Sequence, residues 1–540
     1  MCPLRNRRAL SEETELSAYL TQGLHRTLQQ KPDHMATRYC GRQTTFGELG
    51  DRVARLAAAL QAQGVQEGDR IAMLSQNSDR YLEYLLATWW AGAVINPVNT
   101  RWSTPEIAYS LNDCSSRVLI VDDTFLDRAL ELQAQSPSVS TLIHVGDRET
   151  PAGLLSWETL VASHGPIPDV RAGGSTLAAI LYTGGTTGHP KGVMVSHDNL
   201  WSAAVARLGQ SNSPPEGVSL LLTPFFHVAG LGRLIIQVIM GQSSVILPRF
   251  EPELVLRAIQ DEGVDEVGMV PSMLQMVLDH PSFGEYDLSG LKRVGYGASP
   301  MTLALLERVM AALPGVEFTH SYGMTETAAV VTVSGPENHT AWGREKGLVR
   351  SAGRAGYSSE VRILDGDGRE VPPGTVGEIV IRGPSIMQGY WNKPAETEAA
   401  LRDGWLHTGD GGYLDAQGHL FIVDRIKDMI ITGGENVYSA EVESVLARHP
   451  AVRECAVIGI PHEQWGEAVH AIVTTHPGQT VDALALREHC RQFLAGYKCP
   501  KTVDVRESLP MSAAGKILKQ VLRKEHGQGA AGVHEKAAAG

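Results

Sequence analysis

The chain has 540 residues, 43% of them apolar and 20% charged, more than a single hydrophobic core absorbs, so a water-soluble protein of several domains is expected. Its 60 acidic against 47 basic side chains leave a formal net charge of -13, a surplus that repels phosphodiester backbones and removes nucleic acid from the expected partners. The longest apolar stretches, such as Leu234 to Met240, are broken by Gln237 and fall far short of the roughly 20 residues a membrane helix needs, so no transmembrane segment is expected.

In chain order, the basic start MCPLRNRRAL lacks an apolar signal core, and the final AAAG is no peroxisomal address, so a cytoplasmic location is expected. Thr45 and Glu48 have capping-box spacing, Leu49, Val53, Leu56 and Leu60 share one face, and Gly64 follows, which predicts a helix over 45–64. RIAML from Arg70 reads as a strand, the run around Tyr81 to Trp90 as a helix, and GAVINP, VLIV (Val118 to Val121) and LAAILY (Leu177 to Tyr182) as strands. This alternation predicts an α/β architecture with sheets covered by helices. From Val361 short β pieces separated by DGDG and PPG turns predict a compact β-rich subdomain over about 355–424. After DRIKD (Asp424 to Asp428), AEVESVLARHP, ECAVIGI, AVHAIVTT and ALREHCRQFL predict a separate small α/β domain over 425–525. Residues 526–540 have no apolar periodicity and read as a disordered tail. The six cysteines (Cys2, Cys40, Cys114, Cys455, Cys490, Cys499) form no C-x-x-C pair and are expected as reduced, non-nucleophilic thiols.

The stretch Thr183 to Gly192, TGGTTGHPKG, stands between the apolar strand LAAILY and a second strand, GVMVS. Its glycines Gly184, Gly185 and Gly188 let backbone amides approach an anion, Thr183, Thr186 and Thr187 supply hydroxyls, and Lys191 a charge, which together suit a polyphosphate. The spacing is not that of a Walker A loop, because Pro190 precedes Lys191; VGYGASP does not complete G-x-G-x-x-G, and G-x-S-x-G is absent.

With YTGGTTGHPKG come, in order, PFFH (Pro224 to His227), YGASP, SYGMTE (Ser321 to Glu326), GEIVIRG, HTGD (His407 to Asp410), DRIKDMIITGGENVYSAEVE and LPMSAAGKIL (Leu509 to Leu518). From about Tyr39 to Glu525 the chain resembles the ATP-dependent adenylate-forming superfamily of acyl-CoA synthetases, peptide-synthetase adenylation domains and beetle luciferases. The resemblance implies a large N-terminal AMP-binding domain, 1–424, a small mobile C-terminal lid, and a site between them. It implies that Gly297, Ala298, Ser299, Tyr322, Gly323 and Met324 surround the nucleotide, with Tyr322 stacked on adenine. Thr325 would bind phosphate, Thr187 and Glu326 would hold Mg²⁺, and Asp410 and Arg425 would serve the ribose. Lys516 would carry adenylation; composition alone would read it as a solvated tail lysine like Lys519. Ala514 stands where the family usually has a hydroxyl residue, which leaves the local backbone contacts open. The lid would rotate about Lys427, withdrawing Lys516 and bringing Gly433 and Gly434 up to line a channel for coenzyme A.

His227 resembles the histidine gating the acyl pocket, and an imidazole in place of an aspartate disfavours amino acids as substrates. The following VAGLGRLIIQVIMG suits an apolar acyl or aryl channel, although a plain core helix would look the same. Because the chain ends soon after the Lys516 motif, free CoA rather than a fused carrier domain is the expected acceptor. The expected activity is acyl-CoA synthesis from a hydrophobic carboxylic acid, ATP and CoA. A medium- or long-chain fatty acid is favoured, with an aryl, cinnamate-like or alicyclic acid, or an acyl-AMP ligase loading a carrier protein or amine, as alternatives. A homodimer is among the assemblies the resemblance allows.

Overall fold

A computed structural model of the chain describes residues 17–183, 190–210, 213–512 and 515–526. Thr45 sits in extended backbone ahead of the helix Phe46–Ala62; its hydroxyl accepts from the Glu48 amide at 3.2 Å, and the Glu48 carboxylate accepts from the Thr45 amide at 2.8 Å. That reciprocal cap satisfies two of the amides an unextended helix leaves free. The helix stops two residues before the predicted end, and Gly64 takes the left-handed turn beyond it (φ +82°).

The four apolar runs became the strands Arg70–Leu74, Val94–Pro97, Val118–Val121 and Leu177–Thr183, which lie side by side in one sheet. A second sheet holds the parallel strands Val218–Leu221, Glu266–Met269, Arg293–Gly297 and Glu317–Tyr322. A single apolar cluster joins the two: Ile71 and Ile95 from the first sheet and Leu221 and Ile246 from the second meet Val53, Leu85 and Leu234 on helices lying between them. Separate clusters cover the outer faces, Leu111 and Leu132 packing on the first sheet and Leu256, Leu274 and Leu306 on the second. The stacking is helix, sheet, helix, sheet, helix, the layering expected of α/β chains.

Antiparallel strands Glu360–Leu364, Gly377–Arg382, Trp405–Leu414 and Leu420–Arg425 then make the small β sheet, joined to the large body through Tyr322, Val331 and Ile381. The last sheet is built on the paired strands Val452–His462 and Gly466–Thr475, packed with helices Ser439–Leu446 and Ala483–Arg491 around Val442, Val457 and Leu486. The protein therefore has a large N-terminal α/β body and a small C-terminal α/β domain. Residues 519–526 are helical, and His526 meets Arg506 at 3.0 Å, so the structureless tail expected from 526 cannot begin before 527; residues 527–540 lie outside the described residues. Among the described residues no helix is long and apolar enough to cross a membrane.

Candidate active site

The parallel strands of the second sheet deliver their C-terminal ends to a cleft of about 2470 Å³ shared with the small domain. Crevices at the carboxyl ends of parallel strands are where α/β sheets bind ligands. Gly297, Ala298 and Ser299 emerge from one strand; Tyr322 ends the next, and Gly323, Met324, Thr325 and Glu326 run into a 3₁₀ turn. All of them line the cleft together with Thr183, His227, Asp410, Arg425, Lys427 and Lys516. Ala298 holds a left-handed backbone (φ +66°), an uncommon conformation for a residue with a Cβ and one that clusters at functional sites. Of the phosphate loop, Gly184, Gly185, Thr186, Thr187 and Gly188 lie outside the described residues, as does Ala514.

Asp410 and Arg425 are register partners on adjacent strands, and Arg425 Nε lies 2.7 Å from Asp410 Oδ1. The Tyr322 hydroxyl donates to Asp410 Oδ2 at 2.7 Å. Burial, together with the Asp410 charge, pushes the Tyr322 phenol well above its ordinary range, so it stays a donor. Glu326 is buried, and its Oε1 accepts from the Tyr390 hydroxyl at 2.9 Å; the Tyr390 ring in turn carries the Lys191 ammonium 4.9 Å from its centroid. Neither Lys191 nor Tyr390 is among the described residues that line the cleft. Tyr390 went unnoticed in the sequence because QGYW carries no chemical pattern.

The small domain inserts a hairpin into this cleft. Met511 bridges Ile517, the Ser512 amide donates to the Lys516 carbonyl at 2.7 Å, and the Lys516 amide donates to Ser512 Oγ at 3.0 Å. Gly515 has φ +72°, a conformation that favours glycine, and a Cβ there would come within 2.8 Å of Ser272 Oγ, which would have to shift. Arg101 donates to the Ser512 carbonyl at 2.9 Å, and Ser272 to the Gly515 carbonyl at 3.1 Å. Burial, then Arg425, pushes Lys516 below the ordinary lysine value, while Asp410 and Glu326 oppose them. His227 caps the helix Val228–Met240, its Nδ1 accepting from the Ala229 amide at 3.2 Å. Burial and then Lys516 lower its pKa to about 3, so the imidazole is neutral with its proton on Nε2.

Two sequence readings change, those of Lys519 and of the helix after His227. Lys519 is not solvated: only 16% exposed, it pairs with Glu443 at 2.7 Å, and its ammonium donates to Ser439 Oγ. Gly433 and Gly434, expected at the channel only after the lid has turned, form an exposed two-residue turn between strands Ile430–Thr432 and Glu435–Val437, both with positive φ, away from the cleft in this arrangement. The helix after His227 is not uniformly apolar toward the cleft, because Arg233 and Gln237 line it among the aliphatic residues. A lone arginine in an otherwise apolar run was the signal for this.

Residues 24–391 match the family model of AMP-binding enzymes, and residues 441–516 match the model of the AMP-binding enzyme C-terminal domain. The chain belongs to the AMP-binding enzymes. It is 40% identical over 503 residues to a feruloyl-CoA synthase of Amycolatopsis sp, spanning 93% of this chain and 98% of that protein. It is 36% identical to the long-chain-fatty-acid–CoA ligase FadD13 of Mycobacterium tuberculosis, over 89% and 93% of the two chains. The crystal structure of ATP-bound MatB from Rhodopseudomonas palustris superposes with a TM-score of 0.86 at 31% identity, over 94% of this chain and 99% of that one. The AMP-binding enzyme described here is thus an ATP-dependent acid–thiol ligase of the acyl-CoA synthetase type, whose kind takes ATP and CoA as substrates.

Proposed function

We propose that the enzyme activates a compact hydrophobic acid, an aryl-type acid ahead of a long fatty chain, and transfers its acyl group to free CoA. The observation that carries the first half is the placement of Lys516, lodged by its hairpin in the cleft beside Asp410, Glu326 and Arg425. In the first reaction a carboxylate oxygen attacks the α-phosphorus of ATP and the bond to the β-phosphate oxygen breaks. Lys516 neutralises the charge that collects on the α-phosphate and the leaving pyrophosphate. Asp410 accepts from the ribose hydroxyls, with Arg425 and Tyr322 holding its carboxylate in place. Mg²⁺ fits at Glu326, a buried carboxylate to which only Tyr390 donates among the described residues, with Thr187 as the partner ligand. A bound Mg²⁺ would supply charge neutralisation on the phosphates.

In the second reaction the thiol sulfur attacks the acyl carbon, the bond to AMP breaks, and the thiol proton is lost. The Lys516 hairpin occupies the cleft in the present arrangement, so the lid must turn about Lys427 before Gly433 and Gly434 can reach it. The preference for a compact acid rests on the cleft wall: Arg233 lies across Gly268 and Gly295, where an added Cβ would stand 2.0 and 2.5 Å from its guanidinium nitrogens. Gly295 is two residues before Gly297 on one strand, about 7 Å away, so a cation lies across the strand that carries Gly297 into the cleft. A fatty acid is the second reading, supported by the likeness to FadD13. Pyrophosphate and AMP release across a panel of aryl, alicyclic and straight-chain acids, with and without CoA, tests both halves: release of AMP that does not depend on CoA contradicts the acceptor, and a best rate on long alkyl acids contradicts the compact acid.

A further inference from the structure

The deep end of the acyl cleft is charged. Arg207, at the end of helix His197–Leu208, Arg233, on helix Val228–Met240, and Glu266, at the start of strand Glu266–Met269, all line it. Arg233 Nη1 lies 3.5 Å from Glu266 Oε1; Glu266 Oε2 is held by the Ser213 hydroxyl and by Arg293 Nε at 3.4 Å, and Arg293 is paired with Asp265. Glu266 is therefore divided between Arg233 and Arg293, and Asp265 is spent on Arg293. Arg207 shares the field of Glu266 but forms no ion pair with it among the described residues, and its Nη1 is buried with no hydrogen-bond partner there. Burial and then Arg233 lower its pKa to about 10, with Glu266 opposing them, so it keeps its proton at neutral pH. A buried donor without a partner carries an uncompensated desolvation cost, larger when it is charged, and a purely aliphatic acid would leave that cost in place.

We infer that Arg207, backed by the Arg233–Glu266 pair, is a specificity-determining residue that receives a hydrogen-bond-accepting oxygen at the far end of the acid, opposite the reacting carboxylate. The inference rests on the acid–CoA ligase reading above. A phenolic oxygen and a second carboxylate offer the same chemistry, and the surplus cation suits either.

The test compares kcat/KM for CoA-dependent AMP release within matched pairs: 4-hydroxycinnamic against cinnamic acid, and octanedioic against octanoic acid. The oxygen-bearing member of at least one pair is expected to exceed its partner by about 100-fold or more, since a site with a waiting polar group rejects the analogue that lacks the oxygen. Which pair shows the gap distinguishes the phenol from the carboxylate. Arg207→Met is expected to collapse or reverse that ratio, and Arg207→Lys to retain part of it. Because each ratio compares two acids on one preparation, partial unfolding of a variant cancels. Equal turnover within both pairs, or an unchanged ratio in Arg207→Met, overturns this inference and leaves the ligase reading standing. No CoA-dependent AMP release with any acid removes the ligase reading and this inference together.

Discussion

At the scale of single residues, Lys516 has the most exposed consequences. Replacing it with alanine is expected to slow acyl-adenylate formation by about 100- to 1000-fold, the size of losing one preorganised charge at a transition state. Thiolation of a preformed acyl-adenylate should continue within a few-fold, and single-turnover assays of the two half-reactions check this. Because burial and Arg425 lower the Lys516 pKa, the ammonium is lost at a pH below the ordinary 10.5. The alkaline fall of kcat/KM for ATP, which reports the free enzyme, should therefore lie below that value and be absent from the thiolation profile. His227, held near 3, is neutral throughout and should contribute no limb between pH 5 and 9. Residues with a polar role in an ordered motif, such as Asp410 and Glu326, could be picked out from the chain. Tyr390, Arg207 and Lys519 could not, because what distinguishes them is a partner far away in sequence or the lack of one.

At the scale of elements, Arg52 staples three helices. From helix Phe46–Ala62 it reaches Glu83 of helix Asp79–Trp90 at 2.7 Å and Glu158 of helix Trp157–Ser163 at 3.0 Å, while Trp157 donates to Glu83. The Glu83 side chain is only 4% exposed, so Arg52→Ala leaves a buried carboxylate without its cation and is expected to cost about 3 kcal/mol. The urea midpoint of the N-terminal body should fall accordingly, and an Arg52→Met, Glu83→Leu double variant should recover most of it. Periodicity and a capping box exposed the first of these helices, and the apolar run around Tyr81 to Trp90 the second, since local rules decide where such a helix begins, whereas the short helix Trp157–Ser163 carried no such signal. The staple was invisible because Arg52 and Glu83 are separated by 31 residues, and no local rule reports which faces will meet.

At the scale of the molecule, the two reactions need two placements of the small domain. Proline at Lys427, within the 3₁₀ turn Ile426–Asp428, would fix φ in the range such a turn uses. Lys427→Pro should keep adenylation within about tenfold and slow thiolation by about 100-fold or more, which pyrophosphate and acyl-CoA release measured on one preparation would show; equal loss of both would contradict a hinge there. The contacts that hold the present placement are modest. Arg101 and Ser272 bind the Lys516 hairpin, Gln275 donates to the Arg453 carbonyl at 2.9 Å, and across Lys427 the Asp424 carboxylate accepts from the Ser439 amide at 2.6 Å. The neutral ones among these contribute about 1 kcal/mol each after water is counted, and those of Arg101 and Asp424 about 1.5–3 kcal/mol. The docking therefore behaves as a friction clutch and not as a lock: it grips through a few slippable points, so departure of one small anion is enough load to let it slide. A donor–acceptor dye pair placed across Lys427 should accordingly flicker between two distances even with no nucleotide present.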